Sequence, residues 1–355
     1  MKKIICILIF MSCFFVRPAF SQVDSLDQPY AVADTHNVNI RLFESDELFD
    51  ITLRFDITYY KKKRSDIEYL DAILTYHTSD TDSINKKIKL RARGIFRRGY
   101  CDFPPLSLNF KMKDSIGGEF SGINKLKLVS YCKTGQQEYL LKEYLAYKLY
   151  NVLTDNSYRV RLLRVNYINT FKESKPIKEF AFVIEPTEVL AQRTNSFEVK
   201  PAILSQKNIK SEMMDRMAIF NYMIGNTDWS VPILHNVLVL SQGKSERPDL
   251  GVIVSFDFDY SGLVNTNYSV PFEGLGIESV LERRYLGICR SEEVFINALR
   301  EFSDKKEEFY KVINEFPYLK EKTKKEMIVY LDGFYKEFDK RNTIVSNLLG
   351  GCISF

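Results

Sequence analysis

Gly225-Asn226-Thr227-Asp228-Trp229-Ser230, followed by His235-Asn236 and then by Phe256-Asp257-Phe258-Asp259-Tyr260-Ser261-Gly262, is the stretch on which the reading of this chain turns. Before it, Met214, Met217, Ala218, Asn221 and Tyr222 recur at helical spacing, which predicts a helix over 211–224. Between its parts, the runs 237–240 and 252–256 predict a hairpin across Ser241-Gln242-Gly243-Lys244. A helix ending near Gly225 delivers Asp228 on a loop, and the hairpin returns the chain so that Asp257 faces Asn236. Carboxylate, amide and carboxylate, in that order, are the groups phosphoryl transfer needs. One carboxylate orients the attacking hydroxyl, and an amide and a second carboxylate hold the metal that bridges the phosphates. Duller readings exist for each piece: Asp228 as a turn residue, Asp257 and Asp259 as a solvated strand end or a calcium loop, His235 as a structural histidine.

Working outward, 49–55, 67–76, 88–93, 106–110 and 126–129 show alternation of apolar and polar residues, which predicts antiparallel strands with one wet face. A helix is expected over 138–153, further strands over 161–168 and 179–184, and a helical tail from 291 to 349. The expected class is α+β with a two-lobed protein-kinase-like fold: an antiparallel β-rich N-lobe over 38–188 and a mainly helical C-lobe over 189–355. Arg91, Arg93, Arg97 and Arg98 alternate with Gly94 and Gly99, a pattern that suits either a phosphate cradle or an exposed hairpin paired with nearby acids.

The string 225–228 with the later Asn236 and Asp257-Phe258-Asp259 resembles the catalytic and metal-binding segments of spore-coat CotH-type atypical kinases and, more distantly, of HipA-type kinases. The resemblance extends over about 85–265, through Arg93-Gly94, the strand to Lys111, 126–129, the helix 140–149 and Phe182-Val183-Ile184-Glu185. It implies Asp228 as catalytic base, Asn236 and Asp257 as metal ligands and Asp259 as a supporting or alternative ligand. It also implies Lys111 on the nucleotide phosphates, with Arg93 and Lys127 as substitutes, Glu143 as partner of that cation and Glu185 near the adenine connector. The implied cofactors are ATP or another nucleotide with Mg2+ or Mn2+, and the acceptor is a protein or a small hydroxyl compound. This chain differs from the pattern in two places. Asp228 and Asn236 are eight residues apart, where ordinary protein kinases have five, and Pro104-Pro105 stands where CotH-type chains tend to carry lysines. The alternative is a noncatalytic envelope protein that binds a partner through the cleft or its surface.

The 355 residues are 45% hydrophobic, 27% charged and 14% aromatic, which excludes disorder and low-complexity fibres. The formal charge of +4 includes Lys2, Lys3 and Arg17 in an acid-free leader, and without them 47 basic face 46 acidic side chains. That balance gives no electrostatic case for nucleic acid. Residues 1–21 read as a signal peptide: two lysines, an apolar run too short to span a bilayer, and Ala19-Phe20-Ser21 as a cleavage site. Residues 22–37 read as a tether, and no later segment is apolar enough to span. The mature chain is therefore expected to be exported, to the periplasm, the cell surface or the medium. It would keep Cys101, Cys132, Cys289 and Cys352, with Cys101–Cys132 the favoured pair and four free thiols the alternative.

Overall fold

The computed structural model describes residues 40–79, 81–110, 118–199, 204–242, 251–339 and 343–354. The leader, the tether, Lys111 and the hairpin turn at 243–244 lie outside the described residues. In chain order the first part contains β1 (Phe49–Phe55), α1 (Ile57–Lys63), β2 (Leu70–His77), β3 (Ser83–Ala92), α2 (Phe96–Tyr100), β4 (Leu106–Asn109), β5 (Lys125–Ser130), α3 (Gln137–Leu153), β6 (Val160–Asn169) and β7 (Ile177–Ile184). Then follow α4 (Thr187–Arg193), β8 (Ser196–Glu198), α5 (Ser211–Ile224), β9 (Val237–Gln242), β10 (Val252–Ser255), α6 (Glu292–Asp304), α7 (Lys306–Asn314), α8 (Glu321–Asp339) and α9 (Thr343–Gly351).

The expected two-lobed kinase fold, with its antiparallel β-rich N-lobe, is not what forms. The strands of the first part close into a barrel in the order β1-β2-β3-β4-β5-β7-β6, and the seam between β6 and β1 is parallel, with Phe49 opposite Leu163 and Phe55 opposite Asn169. The physical reason lies between β5 and β6. There the chain leaves the sheet as α3, packs over the outer face, and re-enters as β6 beside β1, while β7 fills the gap between β6 and β5. Closure removes both sheet edges.

The alternation read from the sequence survives as the barrel's two faces. Ile51, Leu53, Leu74, Leu90, Leu108, Leu128, Val165 and Val183 fill the interior. The expected wet face is dry along β5, β6 and β7, where Val129, Val160, Leu162, Phe182 and Ile184 join a second core with α3, α5 and the C-terminal helices. Those strands carry apolar side chains on both faces because the helical part covers them. A small antiparallel sheet, β10-β9-β8, packs beside α5. Among the described residues no helix is long and apolar enough to cross a membrane.

Two disulfides pin this arrangement. Cys101–Cys132 ties the end of α2 to the loop between β5 and α3, with a Cα–Cα distance of 4.5 Å, and Cys289–Cys352 ties the approach to α6 to the end of α9 at 4.8 Å. The first is the favoured pair; the second closes the other two cysteines, so no free thiol remains among these four.

Candidate functional site

Helix α5 stops at Gly225, whose φ of +65° is a left-handed C-cap. A Cβ there, or on Gly262, would strike the hydroxyl of Tyr330. Only because both positions lack one can Gly262 N–H donate to the Gly225 carbonyl at 3.1 Å, joining the Asp228 loop to the segment that carries Asp257 and Asp259. Below that seam runs a chain of buried amides. Asn221 Nδ2 donates to Met217 O at 2.9 Å, Asn226 Nδ2 to Asn221 Oδ1 at 2.8 Å, and Asn226 Oδ1 accepts the Asp228 backbone N–H at 3.1 Å. Asn221 and Asn226 were not foreseen as site residues, although two amides at the end of an apolar helix carry the signal. Buried amides need partners, and these supply one another and fix the loop.

Asp228 is held from two sides. His235 Nε2 lies 2.8 Å from Oδ1, and Asn236 Nδ2 donates to Oδ2 at 2.9 Å and to the Asp228 carbonyl at 2.8 Å. The eight-residue separation is taken up by a small hairpin, in which Ser230 and His235 exchange backbone hydrogen bonds of 2.9 Å and Leu234 and Asn236 adopt φ of +50° and +51°. Because the Asn236 amide nitrogen is committed to Asp228, its Oδ1 is the atom it presents as an acceptor. The Asn236 carbonyl accepts Phe256 N–H at 3.0 Å, which sets Asp257 next along the strand end.

Asp257 sits at φ +64°, and its N–H donates at 2.9 Å to the hydroxyl of Tyr147 on α3. Phe258 is fully buried against Tyr147, Tyr150 and Phe220, so the two carboxylates flank an aromatic anchor. Asp259 is buried, accepts from Tyr268 OH at 2.8 Å and lies 3.9 Å from Arg97 Nη1. The predicted Glu143 is also buried, and its Oε2 takes Arg97 Nη1 at 3.0 Å while Oε1 has no hydrogen-bond partner. The structure thus gives Glu143 an arginine partner, from a short helix that the sequence pattern does not predict.

Arg93 interacts with Asp257, Tyr147 and Glu143; burial lowers its pKa and Asp257 opposes that. Lys127, on the strand that precedes α3, is exposed by area, yet crowding lowers its pKa, first through desolvation and then through Arg93, with Asp257 opposing. A concave setting reconciles the two: the ammonium reaches solvent while protein surrounds its stem, with the Phe256 ring 5.7 Å away. Lys111 lies outside the described residues; the described cations that interact with Asp257 include Lys127, Arg93 and Arg97, the last already paired with Glu143. Glu185 is saturated: its carboxylate takes Arg159 Nη2 at 2.7 Å and Arg193 Nη2 at 3.0 Å, and it bolts the barrel's end to α4.

The carboxylates feel one another. Burial pushes Asp259 from the ordinary 3.8 up to about 6, Asp257 adds to this, and Arg97 and Tyr268 oppose it. Glu143 is pushed up by burial, against Arg97 and with Asp259 and Asp257. Arg97 is raised well above its usual value, since its acids outweigh its burial. The guanidinium keeps its proton, and Glu143, pushed up to about 8, is the first carboxyl of the cluster to protonate on acidification. For Asp259 the sign is explicit. A carboxyl with a raised folded-state pKa stabilises the native state below the unfolded value, and that contribution is lost as pH rises through about 6. Stability is expected to fall by about 2–3 kcal/mol from this group between about pH 4 and 7, and Asp259→Asn to flatten the profile. Urea midpoints across that range check it; an unchanged slope in the variant would refute the assignment.

Among the described residues no three His, Cys, Asp or Glu side chains converge on one ion. Magnesium, however, is commonly held by one or two carboxylates together with substrate phosphates. Asn236 Oδ1 and the Asp257 carboxylate are donors of the type magnesium takes, and the repulsion that Asp257 and Asp228 exert on Asp259 is what a cation would relieve.

No protein-family model matches this chain, and no curated protein matches it. Among solved structures it is similar to the Helicobacter pylori proinflammatory kinase CtkA, with a TM-score of 0.38 and 11% identity over 73% of this chain and 94% of that one. A likeness of that size carries no inference about fold or chemistry.

Proposed function

We propose that the chain transfers a phosphoryl group from a nucleotide to a protein or small hydroxyl acceptor, with Asp228 as the group that orients and deprotonates the acceptor. The observation that supports this reading is the Asp228–Asn236–Asp257 arrangement. One amide side chain holds the candidate base through its nitrogen and keeps its oxygen for a cation, and its carbonyl positions the strand end that carries the second carboxylate. Asn236 Oδ1 and Asp257 would hold Mg2+ or Mn2+, which would neutralise phosphate charge. Lys127 and Arg93 would take the phosphate oxygens, and Asp259, tied to Tyr268 and Arg97, supports Asp257. The leader would place this chemistry outside the cytoplasm.

One observation favours the noncatalytic alternative: both Asp228 oxygens have side-chain partners, His235 and Asn236. Thermal unfolding of the chain from Gln22 onward, with ATP and Mg2+ together and each alone, separates binding from its absence. A ligand at about 100 times its dissociation constant stabilises by about 2.7 kcal/mol, a shift of a few degrees, and Asp257→Ala is expected to erase the metal-dependent part. No shift at millimolar nucleotide would transfer the weight to a partner-binding protein.

A further inference from the structure

Four aromatic rings gather where α2 meets the segment that follows Asp259. Phe96 stacks on Tyr100 with ring centroids 5.1 Å apart and planes 17° apart, and Tyr268 meets them at 5.4 Å and 5.1 Å. Tyr260 completes the group, 6.0 Å from Phe96 and 5.7 Å from Tyr268. These rings belong to neither apolar core: Phe96 is 44% exposed, and Tyr100 and Tyr260 are half-buried. They border the cleft. Tyr268 OH donates to Asp259, Arg97 of the same short helix lies 3.9 Å from that carboxylate, and burial and then Asp259, Asp228 and Asp257 raise the Tyr260 pKa. The hydroxyls of Tyr100 and Tyr260 have no hydrogen-bond partner among the described residues. Lys133 Nζ sits 3.7 Å from the centre of the Tyr100 ring, so the protein's own cation takes the ring face a cationic ligand would use. The rest of the rim is neutral, with Gln136 Nε2 3.4 Å from Asn267 Oδ1 one residue before Tyr268. Apolar side chains of a peptide laid on these rings would desolvate the two phenols and the amides without giving them partners. An uncharged molecule rich in hydroxyls and apolar on one face suits both. A pyranose is such a molecule: its axial C–H bonds meet the negative face of an aromatic ring, and its equatorial hydroxyls reach the phenols and amides around it.

We propose that this face is a carbohydrate-binding platform, on which a neutral pyranose unit stacks against Phe96 and hydrogen-bonds to the Tyr100 and Tyr260 hydroxyls and to the Gln136 and Asn267 amides. That the sugar is also the acceptor rests on the function proposed for the cleft. In that step a sugar hydroxyl oxygen bonds to the γ-phosphorus of ATP as the bond to the bridging oxygen breaks, ADP leaves, and the hydroxyl proton passes to Asp228.

The test titrates the chain from Gln22 onward with methyl β-glucopyranoside, whose equatorial hydroxyls leave both ring faces C–H, and with sorbitol, which carries like hydroxyls on an open chain. Saturation-transfer NMR reads both. The glucoside is expected to bind with a dissociation constant on the order of 1 mM, and sorbitol at least about tenfold more weakly. Phe96→Ala is expected to lose at least about tenfold and Tyr260→Phe about two- to fivefold, while Phe96→Trp, which restores a ring, binds as wild type does. No binding of the glucoside at about 50 mM, equal binding of sorbitol, or unchanged binding by Phe96→Ala would overturn the proposal. Mass spectrometry of the glucoside after incubation with ATP and Mg2+ then reads transfer. Sugar binding without a sugar phosphate upholds the platform and removes the transfer reading from the cleft. ATP turnover without sugar binding overturns the platform and leaves that reading in place.

Discussion

Asp228→Asn is expected to lower ATP turnover by about 10²–10⁴-fold while leaving stabilisation by ATP and Mg2+ within about 1 kcal/mol of wild type. An amide keeps the size of the side chain and can still bond His235 and Asn236, so the hairpin that holds them should persist. What it loses is the capacity to take a proton from an attacking hydroxyl. Because water can replace an unidentified acceptor, hydrolysis of labelled ATP measures the effect directly. Loss of turnover with retained binding identifies a base; parallel loss of both assigns Asp228 to the integrity of the loop. A variant as active as wild type would remove Asp228 from the chemistry. His235→Ala is the companion experiment. Its ring touches one Asp228 oxygen and is half exposed, so its removal frees that oxygen without opening the core.

Local order is largely legible in the order of residues, and strand pairing is not. The helix expected over 211–224 is α5 to the residue, and the strand over 49–55 is β1 to the residue, because apolar periodicity is a property of consecutive positions. Leu53 and Phe55 must point to a core whether their sheet is open or closed and whether the neighbouring strand is parallel or antiparallel. The parallel seam between β1 and β6 therefore leaves no mark on either strand, and the two-lobed expectation fails there. Two-sided burial does leave a trace. Leu162-Leu163 and Ala181-Phe182-Val183-Ile184 are continuous apolar runs, unlike the alternation of β2 and β3, and they lie where helices cover the barrel. At the candidate site, chemical type and order single out Asp228, Asn236 and Asp257. The short helix α2 does not. It is five residues long and contains Gly99, and α3 and the Cys101–Cys132 disulfide hold it by contacts remote in sequence.

That helix brings the largest expected effect on stability. Arg97→Ala is expected to cost about 3–5 kcal/mol at pH 9, because it takes the partner from a Glu143 carboxylate in a buried position. The Arg97 and Glu143 side chains are 12% and 1% exposed, so water cannot replace the lost partner as it does for a surface pair. Asp259, also buried and 3.9 Å from the same guanidinium nitrogen, loses a neighbouring positive charge in the same step. The pH dependence follows from the sign of the shifts. Burial, Asp259 and Asp257 raise Glu143 even with Arg97 present, so without Arg97 it rises further. Protonation then rescues the native state. The deficit should be small near pH 5 and grow as pH rises through the wild-type folded-state pKa of about 8, which urea midpoints at pH 5 and 9 would show. Glu143→Gln placed on Arg97→Ala removes the unpaired charge and should recover much of the loss at pH 9 and little at pH 5. A deficit below about 1 kcal/mol at both values would mean the pair behaves as an exposed one. The consequence for the cleft is direct: Arg97 docks the segment that carries Arg93 onto α3, and Tyr147 of the same helix holds the Asp257 backbone. One ion pair thus couples Arg93 to Asp257, and loosening it should weaken nucleotide binding in step with stability.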